Sequence, residues 1–183
     1  VRDYQPELLY FDWWIQHESF RPYLMRFLAY YYNLAFQEGR SVAVCYKQDA
    51  LPFGSGIVEM ERGGYSGVQS FPWQMDTAIA RNSWCYTRDL VYKTSKELLQ
   101  NLIDVVAKNG NLLLNIGPKA DGTIPKRDQQ ILREMGDWLA VNGEAIYGSR
   151  PWRVATEGSS QQAWGAFSDG EAPNYTSQDI RYT

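Results

Sequence analysis

Carboxylate side chains recur in this sequence where short apolar stretches end. Asp12 follows LLYF, Asp49 follows VCYKQ, Glu59 and Glu61 lie within GIVEME, and Asp76 follows PWQM. Retaining glycosidases need two carboxyl groups about 5 to 5.5 Å apart, one to attack the anomeric carbon and one to protonate the leaving oxygen. Each of these acids, taken alone, also has an ordinary explanation as a helix cap or a solvent-exposed side chain.

Asp12 differs from the other acids in its neighbours. Four apolar residues precede it, and Trp13 and Trp14 follow it. A carboxylate in such a setting costs free energy unless it has a partner or a function. The two indole rings could stack on the face of a sugar, although packing is the commoner use of tryptophan. This pattern makes Asp12 the first candidate for a nucleophile.

Other kinds of catalytic site find little support. His17 is the only histidine and no G-x-S-x-G motif is present, so we expect neither a histidine-based triad nor a metal cluster. We interpret His17 as a surface or packing residue. The stretch from Glu61 to Gly67 (ERGGYSG) lacks the Lys-Ser/Thr pair of a phosphate-binding loop, and we interpret it as a flexible active-site loop. No metal and no organic cofactor is expected.

The composition is typical of a soluble domain with a core of its own. The chain has 183 residues, of which 44% are hydrophobic and 21% are charged. Aromatic residues make up 15% of the chain, and surplus rings often line sugar sites. The formal net charge is -3 and the basic residues are scattered, so we expect no nucleic-acid partner. No apolar stretch approaches the roughly 20 residues of a membrane span, so no membrane partner is expected.

Apolar periodicity predicts alternating strands and helices. The predicted strands are Tyr4–Trp14, Ser41–Tyr46, Gly56–Glu61, Asp76–Trp84 and Leu112–Gly117, and the predicted helices are Ser19–Glu38, Ser95–Lys108 and Lys126–Tyr147. The first strand is expected to be buried, and Ser95 is expected to cap the second helix. Cys45 and Cys85 lie in apolar or aromatic strings and are expected to be buried free thiols.

Alternating strands and helices predict an α/β fold with a parallel sheet, either an open doubly wound sheet or a (β/α)8 barrel. Five strands are too few for a barrel, so the chain could hold strands four to eight of one or a complete open sheet. After Pro151 the sequence becomes polar and rich in turn residues, as in a linker entering a β domain. We place a domain boundary near Trp152.

A long motif from Gly110 to Pro125, GNLLLNIGPKADGTIP, resembles the signature of the α-L-fucosidases of glycoside hydrolase family 29. YQPELLYFDWW is similar to the nucleophile strand of that family, SFPWQMDTAIARNSWCY to a later active-site segment, and NGEAIYGSRPW to the end of its barrel. The resemblance implies a (β/α)8-like TIM barrel followed by a β-sandwich. Residues 1–151 would then supply about strands 4 to 8, and residues 152–183 the linker and the entry into the C-terminal β domain.

The resemblance implies a retaining glycosidase that hydrolyses terminal α-L-fucose from glycoconjugates, with Asp12 forming a covalent glycosyl-enzyme. Many members carry a Glu directly after the Trp of the PW segment, where this chain has Gln74, and a glutamine cannot donate a proton as a carboxylic acid does. Glu61 is therefore the first choice for the acid/base and Glu59 the second. The two glutamates lie two residues apart on one strand and share a face, so alternation does not separate them.

The resemblance also implies the residues that would contact the substrate and the setting of the enzyme. Trp73 and Trp84, together with Trp13 and Trp14, are expected to bind the sugar, and Asn115 is expected to order the loop beside it. The expected partners are fucosylated glycans, in a secreted, periplasmic or lysosomal setting of carbohydrate metabolism. The sequence indicates neither linkage preference nor oligomeric state.

The chain begins abruptly, and we interpret its first residues as lying within a domain. We therefore expect the 183-residue chain to be a fragment. In isolation it should aggregate through an exposed sheet edge and be inactive. Two alternatives to the fucosidase stay open. The first is a catalytically impaired relative that binds fucose, in which Gln74 marks lost chemistry. The second is another retaining exo-glycosidase on a similar barrel, which would release a different sugar.

Overall fold

The computed structural model describes residues 1–170 and 173–183, and the chain divides into two compact units, residues 1–59 and residues 60–183. The main elements are β1 (Leu8–Phe11), α1 (Arg21–Gln37), β2 (Ala43–Lys47), β3 (Ile57–Glu61), β4 (Trp73–Ala78), α2 (Ser95–Ala107), β5 (Gly110–Asn115), α3 (Lys126–Asn142), β6 (Thr156–Glu157) and β7 (Ile180–Arg181). Short 3-10 helices cover Trp13–Gln16, Glu18–Phe20 and Gly143–Ala145. The predicted alternation of strand and helix is confirmed.

In the first unit, α1 connects two parallel strands. β1 pairs with β2, with Leu8 opposite Ala43, and β2 pairs in parallel with β3. Pro22 stands in the first turn of α1, where its missing N–H costs no helical hydrogen bond. The helix buries one side chain in every turn against the strands, and Tyr31 on this face also donates a hydrogen bond to the carbonyl of Pro6 at 2.7 Å.

Strand β1 is more exposed than the sequence predicts. Leu8 and Tyr10 are exposed, whereas Leu9 and Phe11 pack beside the buried core of the first unit. One face of the LLYF strand therefore packs against the core, and the other face is exposed to solvent. Continuous apolar character predicts burial on both faces, and this expectation is wrong for β1 in the structure.

In the second unit, β4 and β5 form a parallel pair joined by α2. The register places Trp73 opposite Gly110 and Ala78 opposite Asn115. All six residues of β4 are buried. Gly110 is required at the start of β5, because a Cβ atom there would lie 2.6 Å from the Trp73 ring and from Val105. A glycine at this point lets the indole of Trp73 pack directly on the backbone.

The N-cap of helix α2 lies one residue earlier in the sequence than predicted. Thr94, and not Ser95, is the N-cap: its hydroxyl accepts from the N–H of Glu97, whose carboxylate accepts from the N–H of Thr94. This reciprocal pair satisfies two N–H groups at the helix start that have no partner within the helix. Ser95 instead donates a hydrogen bond to Glu134 of α3 at 2.6 Å. Either residue type can cap a helix, so sequence alone does not separate them.

Helix α2 buries polar as well as apolar side chains. Asn101 and Asp104 are both buried on α2, beside Leu98 and Val105. Asn101 accepts a hydrogen bond from Gln162 at 3.1 Å, and Asp104 accepts from Arg181 at 3.1 Å. The polar C-terminal segment thus packs on α2 within the second unit. The domain boundary near Trp152 stays a prediction.

Several element bounds differ from those predicted. β4 begins before Asp76 and ends at Ala78, and the residues that follow form a loop with an isolated bridge between Ala80 and Tyr92. Cys85 lies in this loop and is exposed, so the prediction that it is buried is wrong, whereas Cys45 is buried on β2 as predicted. Aromatic residues around Cys85 suggested a strand, but they belong to a loop. Among the described residues, no helix combines the length and hydropathy of a membrane span.

Candidate active site

Asp12 lies directly after β1, at the start of a 3-10 helix. Its Oδ1 accepts a hydrogen bond from the N–H of Trp13 at 2.7 Å, so the carboxylate caps that helix. The side chain is 47% exposed. The carboxylate is thus held in position from one side while remaining accessible to a ligand.

Lys47, at the end of β2, links two of the acids of the first unit. Its Nζ lies 3.7 Å from Oδ1 of Asp12 and 3.4 Å from Oε2 of Glu59, and its side chain is buried. Lys47 stands opposite Glu59 in the parallel register of β2 and β3. The ammonium of Lys47 thus contacts one accessible and one enclosed carboxylate. Sequence reasoning missed Lys47; the signal was a lysine ending the apolar run AVCYK.

Glu59 is held more tightly than Asp12. Its side chain has no exposed surface, and Oε2 accepts a hydrogen bond from the hydroxyl of Tyr10 at 2.7 Å in addition to the Lys47 contact. Oε2 of Glu59 is thus engaged by a hydroxyl donor and by a cation at the same time. These contacts fit a structural or orienting role better than that of a proton donor.

The residues that follow Asp12 lie at the surface. Trp13 and Trp14 are both exposed, with ring centroids 6.2 Å apart and ring planes at 44°. Two exposed indoles beside a carboxylate could bind a sugar face. His17 is exposed, and its ring Nδ1 lies 2.8 Å from the Oγ of Ser19, which agrees with its interpretation as a surface residue.

Burial also affects the chemistry of a thiol in the first unit. Desolvation, assisted by the charge of Glu59, raises the pKa of Cys45 to about 11. A thiol with such a pKa is almost entirely protonated near neutral pH and is a poor nucleophile. Cys45 is therefore a core residue, as its sequence context predicts.

In the second unit, Glu61 ends β3 and is partly buried. Arg62 follows it in a left-handed backbone conformation with φ of 46°. The Arg62 guanidinium lies 4.2 Å from the ring centroid of Trp84 and donates to the carbonyl of Ala80 at 3.2 Å. A positive φ is uncommon for a residue with a side chain and marks a strained position. Sequence reasoning named Trp84 but missed the arginine that stacks on it.

Trp73 does not lie where the resemblance implies. Its side chain is 0% exposed, its Nε1 donates to the carbonyl of Lys108 at 3.0 Å, and Tyr65 packs edge-on against it. The ring has no exposed face to offer a sugar, so the expectation that Trp73 binds substrate is corrected to a role in the core. Gln74 is buried next to it on β4.

The loops of the second unit are held by backbone contacts. Asn115 donates to the carbonyl of Trp84 at 2.6 Å, which confirms the prediction that Asn115 orders this loop. The glycine-rich stretch from Glu61 to Gly67, interpreted as flexible, accepts hydrogen bonds from residues 165–169 of the C-terminal segment. Burial lowers the pKa of Lys93 nearby, and a contact with Asp169 opposes that shift.

A metal site in a protein needs a cluster of ligand side chains. Within residues 1–170 and 173–183, no cluster of three or more His, Cys, Asp or Glu side chains has the arrangement needed to hold a metal ion.

Comparison with known proteins identifies the family. A sequence profile described as Alpha-L-fucosidase matches residues 1–144. The tissue alpha-L-fucosidase of Mus musculus is 43% identical over 114 residues, covering 56% of this chain and 25% of that protein. The plasma alpha-L-fucosidase of Homo sapiens is 34% identical over 179 residues, covering 90% of this chain and 36% of that protein. The chain thus spans about a quarter to a third of the length of these relatives.

A solved structure agrees with these matches. The crystal structure of Thermotoga maritima alpha-fucosidase in complex with fucose matches with a TM-score of 0.68 and 30% sequence identity, covering 84% of this chain and 33% of that chain. This likeness confirms the predicted fold class, an α/β part of a (β/α)8-like barrel followed by a small extra sheet. The chain therefore belongs to the α-L-fucosidase family, glycoside hydrolase family 29, as its motif from Gly110 to Pro125 indicates.

Proposed function

We propose that this chain supplies part of the active site of a retaining α-L-fucosidase that removes terminal α-L-fucose from glycoconjugates. The observation that carries the proposal is the Asp12 carboxylate, which is accessible at the end of β1 and lies 3.7 Å from the buried ammonium of Lys47. Fucose is the sugar bound in the similar Thermotoga maritima structure, and the proposed substrates here are fucosylated glycans.

Asp12 is the proposed nucleophile. The contacts of its carboxylate with Lys47 and with the N–H of Trp13 are both made by Oδ1, so we assign the attack on the anomeric carbon to Oδ2. Attack forms a covalent glycosyl-enzyme and releases the leaving oxygen, and water then cleaves the ester bond with net retention. Lys47 and the N–H of Trp13 hold the Asp12 carboxylate in position for this attack. Trp13 and Trp14 are the proposed sugar-contacting rings of this unit.

Glu61 is the proposed acid/base in the second unit. It would protonate the leaving oxygen in the first step and take a proton from water in the second. Glu59 remains the second choice, because its carboxylate is buried and already accepts from Tyr10 at 2.7 Å. Trp84, with Arg62 stacked on its ring, is the proposed sugar-contacting residue of this unit.

Release of 4-nitrophenol from 4-nitrophenyl α-L-fucoside by the full-length protein tests the nucleophile. We expect Asp12→Ala to lower kcat by about 10³-fold or more, because no other group forms the covalent intermediate. Asp49→Ala is the matched control, since Asp49 is an exposed acid in the same unit, and it should retain most of the activity. Comparable activity of Asp12→Ala and the unmodified protein would refute the assignment.

A fucose-binding relative without turnover is the second candidate function. Gln74 favours it, since a glutamine occupies the position at which many family members carry a proton donor. It predicts that titration calorimetry detects fucose binding while no 4-nitrophenol is released. A different retaining exo-glycosidase would instead release 4-nitrophenol from another glycoside and not from the fucoside, so a panel of glycosides separates the three functions.

A further inference from the structure

A row of three side chains crosses the strands of the first unit. The parallel register places Phe11 opposite Tyr46 and Lys47 opposite Glu59. Asp12 follows Phe11 with an extended backbone, at φ of -79° and ψ of 174°, so its side chain continues the alternation of β1. Asp12, Lys47 and Glu59 therefore lie side by side, with the lysine in the middle.

A lysine in this position needs more than one contact to hold its ammonium in place. Its four-carbon chain is flexible, and the ammonium is a point charge without the planar geometry of a guanidinium. On one side, the half-exposed carboxylate of Asp12 lies 3.7 Å from Nζ. On the other side, the buried carboxylate of Glu59 lies nearer, with Oε2 at 3.4 Å. The nearer and more enclosed partner is the one that can set the position of the ammonium.

Glu59 is itself oriented by a residue of β1. The hydroxyl of Tyr10 donates a hydrogen bond at 2.7 Å to Oε2 of Glu59, the same oxygen that lies next to Lys47. The lysine ammonium also lies 5.9 Å from the centroid of the Tyr10 ring, within the range of a cation–π contact. A buried carboxylate costs free energy unless such partners are present. The partners that stabilise Glu59 therefore also direct its Oε2 towards Lys47.

We propose that Glu59 is a positioning residue for the nucleophile, which it orients through Lys47. This inference rests on the proposed function and gives Glu59 a role other than proton transfer. Glu59 holds the ammonium, and the ammonium holds Oδ1 of Asp12, so that Oδ2 is presented to the anomeric carbon in a constant direction. Misplacing a reacting group by about 1 Å can cost about 10²-fold in rate. Replacing the Glu59 carboxylate should therefore slow the attack by Asp12.

Two substrates of the full-length protein separate this role from that of an acid/base. The leaving sugar of a fucosyl disaccharide needs a proton, whereas the fluoride of α-L-fucosyl fluoride leaves without a proton donor. Loss of a proton donor slows the attack on the disaccharide only, but a displaced nucleophile slows the attack on both. We expect Glu59→Gln to lower kcat/KM about 10²-fold on both substrates. A loss confined to the disaccharide, or no loss on either substrate, would overturn the positioning role.

A double-variant cycle on the fluoride tests the path through Lys47. We expect Lys47→Met to lower kcat/KM at least as much as Glu59→Gln does, and the double variant to lie within about threefold of Lys47→Met alone. Losses that multiply would show that Glu59 does not act through Lys47 and would overturn the proposal.

Tyr10→Phe gives a second test that does not depend on Glu59→Gln being folded. It keeps the ring and removes the hydroxyl that donates to Glu59. The orientation of Oε2 is then less fixed, so we expect kcat/KM to fall by about threefold to tenfold on both substrates. Unchanged kcat/KM for Tyr10→Phe on both substrates would contradict the proposed chain of contacts.

Asp104→Asn is the matched control, because Asp104 is also a buried acid that pairs with a lysine, Lys108, but lies on α2 in the second unit. It should lower the melting temperature and leave kcat/KM unchanged within about twofold. A fall in kcat/KM as large as that of Glu59→Gln would show that both variants report destabilisation only, and the positioning role would fail. Full activity of Asp12→Ala would instead refute the proposed function, and the positioning role with it.

Discussion

Lys47 shows how a single residue changes the interpretation of the acids around it. Asp12, Lys47 and Glu59 follow or belong to three different strands, and their side chains meet at the ends of β1, β2 and β3. The two acids that contact the lysine differ in their exposure to solvent, since Asp12 is accessible and Glu59 is enclosed. The accessible acid is the one that we propose as the nucleophile, and the enclosed acid contacts the lysine from the other side.

The two cysteines provide a test at the residue scale. We expect brief treatment of the folded protein with iodoacetamide at pH 8 to modify Cys85 and leave Cys45 unmodified. Cys85 is exposed, whereas Cys45 is buried and its pKa is raised to about 11 by burial, so few thiolates are available there. Peptide mapping by mass spectrometry measures both sites in one sample.

Unfolding in urea serves as the control, because both cysteines should then react. The same pKa shift has a consequence for stability. The Cys45 pKa is higher in the folded state than the ordinary value of 9.0. The contribution of the protonated thiol to the free energy of unfolding is therefore fully present below pH 9 and is lost as the pH rises towards 11. Rapid modification of Cys45 in the folded protein would contradict its burial.

At the scale of the elements, the pairing of β4 with β5 depends on a glycine that admits a tryptophan. We expect Gly110→Ala to lower the free energy of unfolding by about 1–3 kcal/mol, because the added methyl would overlap the Trp73 ring and Val105. Urea unfolding followed by far-ultraviolet circular dichroism measures the change.

Gly136→Ala is the matched substitution for this experiment. Gly136 lies within α3, and a Cβ atom there would meet nothing within 4 Å. Alanine is the better helix former by up to about 1 kcal/mol, so this variant should be as stable as the unmodified protein or more stable. A Gly110→Ala protein with unchanged stability would show that the contact of Trp73 with the backbone of β5 is looser than described.

At the scale of the whole molecule, the C-terminal segment is part of the second unit and is held there by buried charges. Asp169 contacts Lys93 and Thr77, and Arg181 donates to Asp104 of α2. No helix lies between β3 and β4, and the C-terminal segment pairs with the backbone of that connection. Polar, turn-rich sequence after Pro151 indicates a change of structure, but it does not reveal this packing.

The Asp169 anchor yields a prediction at this scale. We expect Asp169→Asn to lower the free energy of unfolding by about 3–5 kcal/mol, because it leaves the buried Lys93 ammonium without its charged partner. The double variant Asp169→Leu with Lys93→Met removes both charges and should be more stable than Asp169→Asn. Thermal unfolding of Asp169→Leu, Lys93→Met and the double variant, compared as a cycle, measures the coupling. Additive losses would show that the two side chains are independent.

Features that depend on local pattern could be predicted from the amino-acid sequence alone. The alternation of strand and helix, the position of Asp12 at the end of β1 and the motif from Gly110 to Pro125 all follow from neighbouring residues. Hydrophobic periodicity and turn residues report the local backbone, so elements are recognised even where their ends are displaced by a few residues. The contact of Asn115 with the loop at Trp84 was also expected, from the family resemblance and from the position of Asn115 at the end of the last predicted strand.

The side chains that meet and the side chains that are buried could not be predicted from local pattern and are known from the folded structure. Lys47 joins Asp12 to Glu59, Trp73 is enclosed in the core, and Cys85 is exposed. Each of these facts depends on packing between segments that are distant along the chain, and a local pattern carries no information about such contacts. Burial and charge pairing arise only when the elements within each unit pack together, because each contact joins residues that are far apart along the chain.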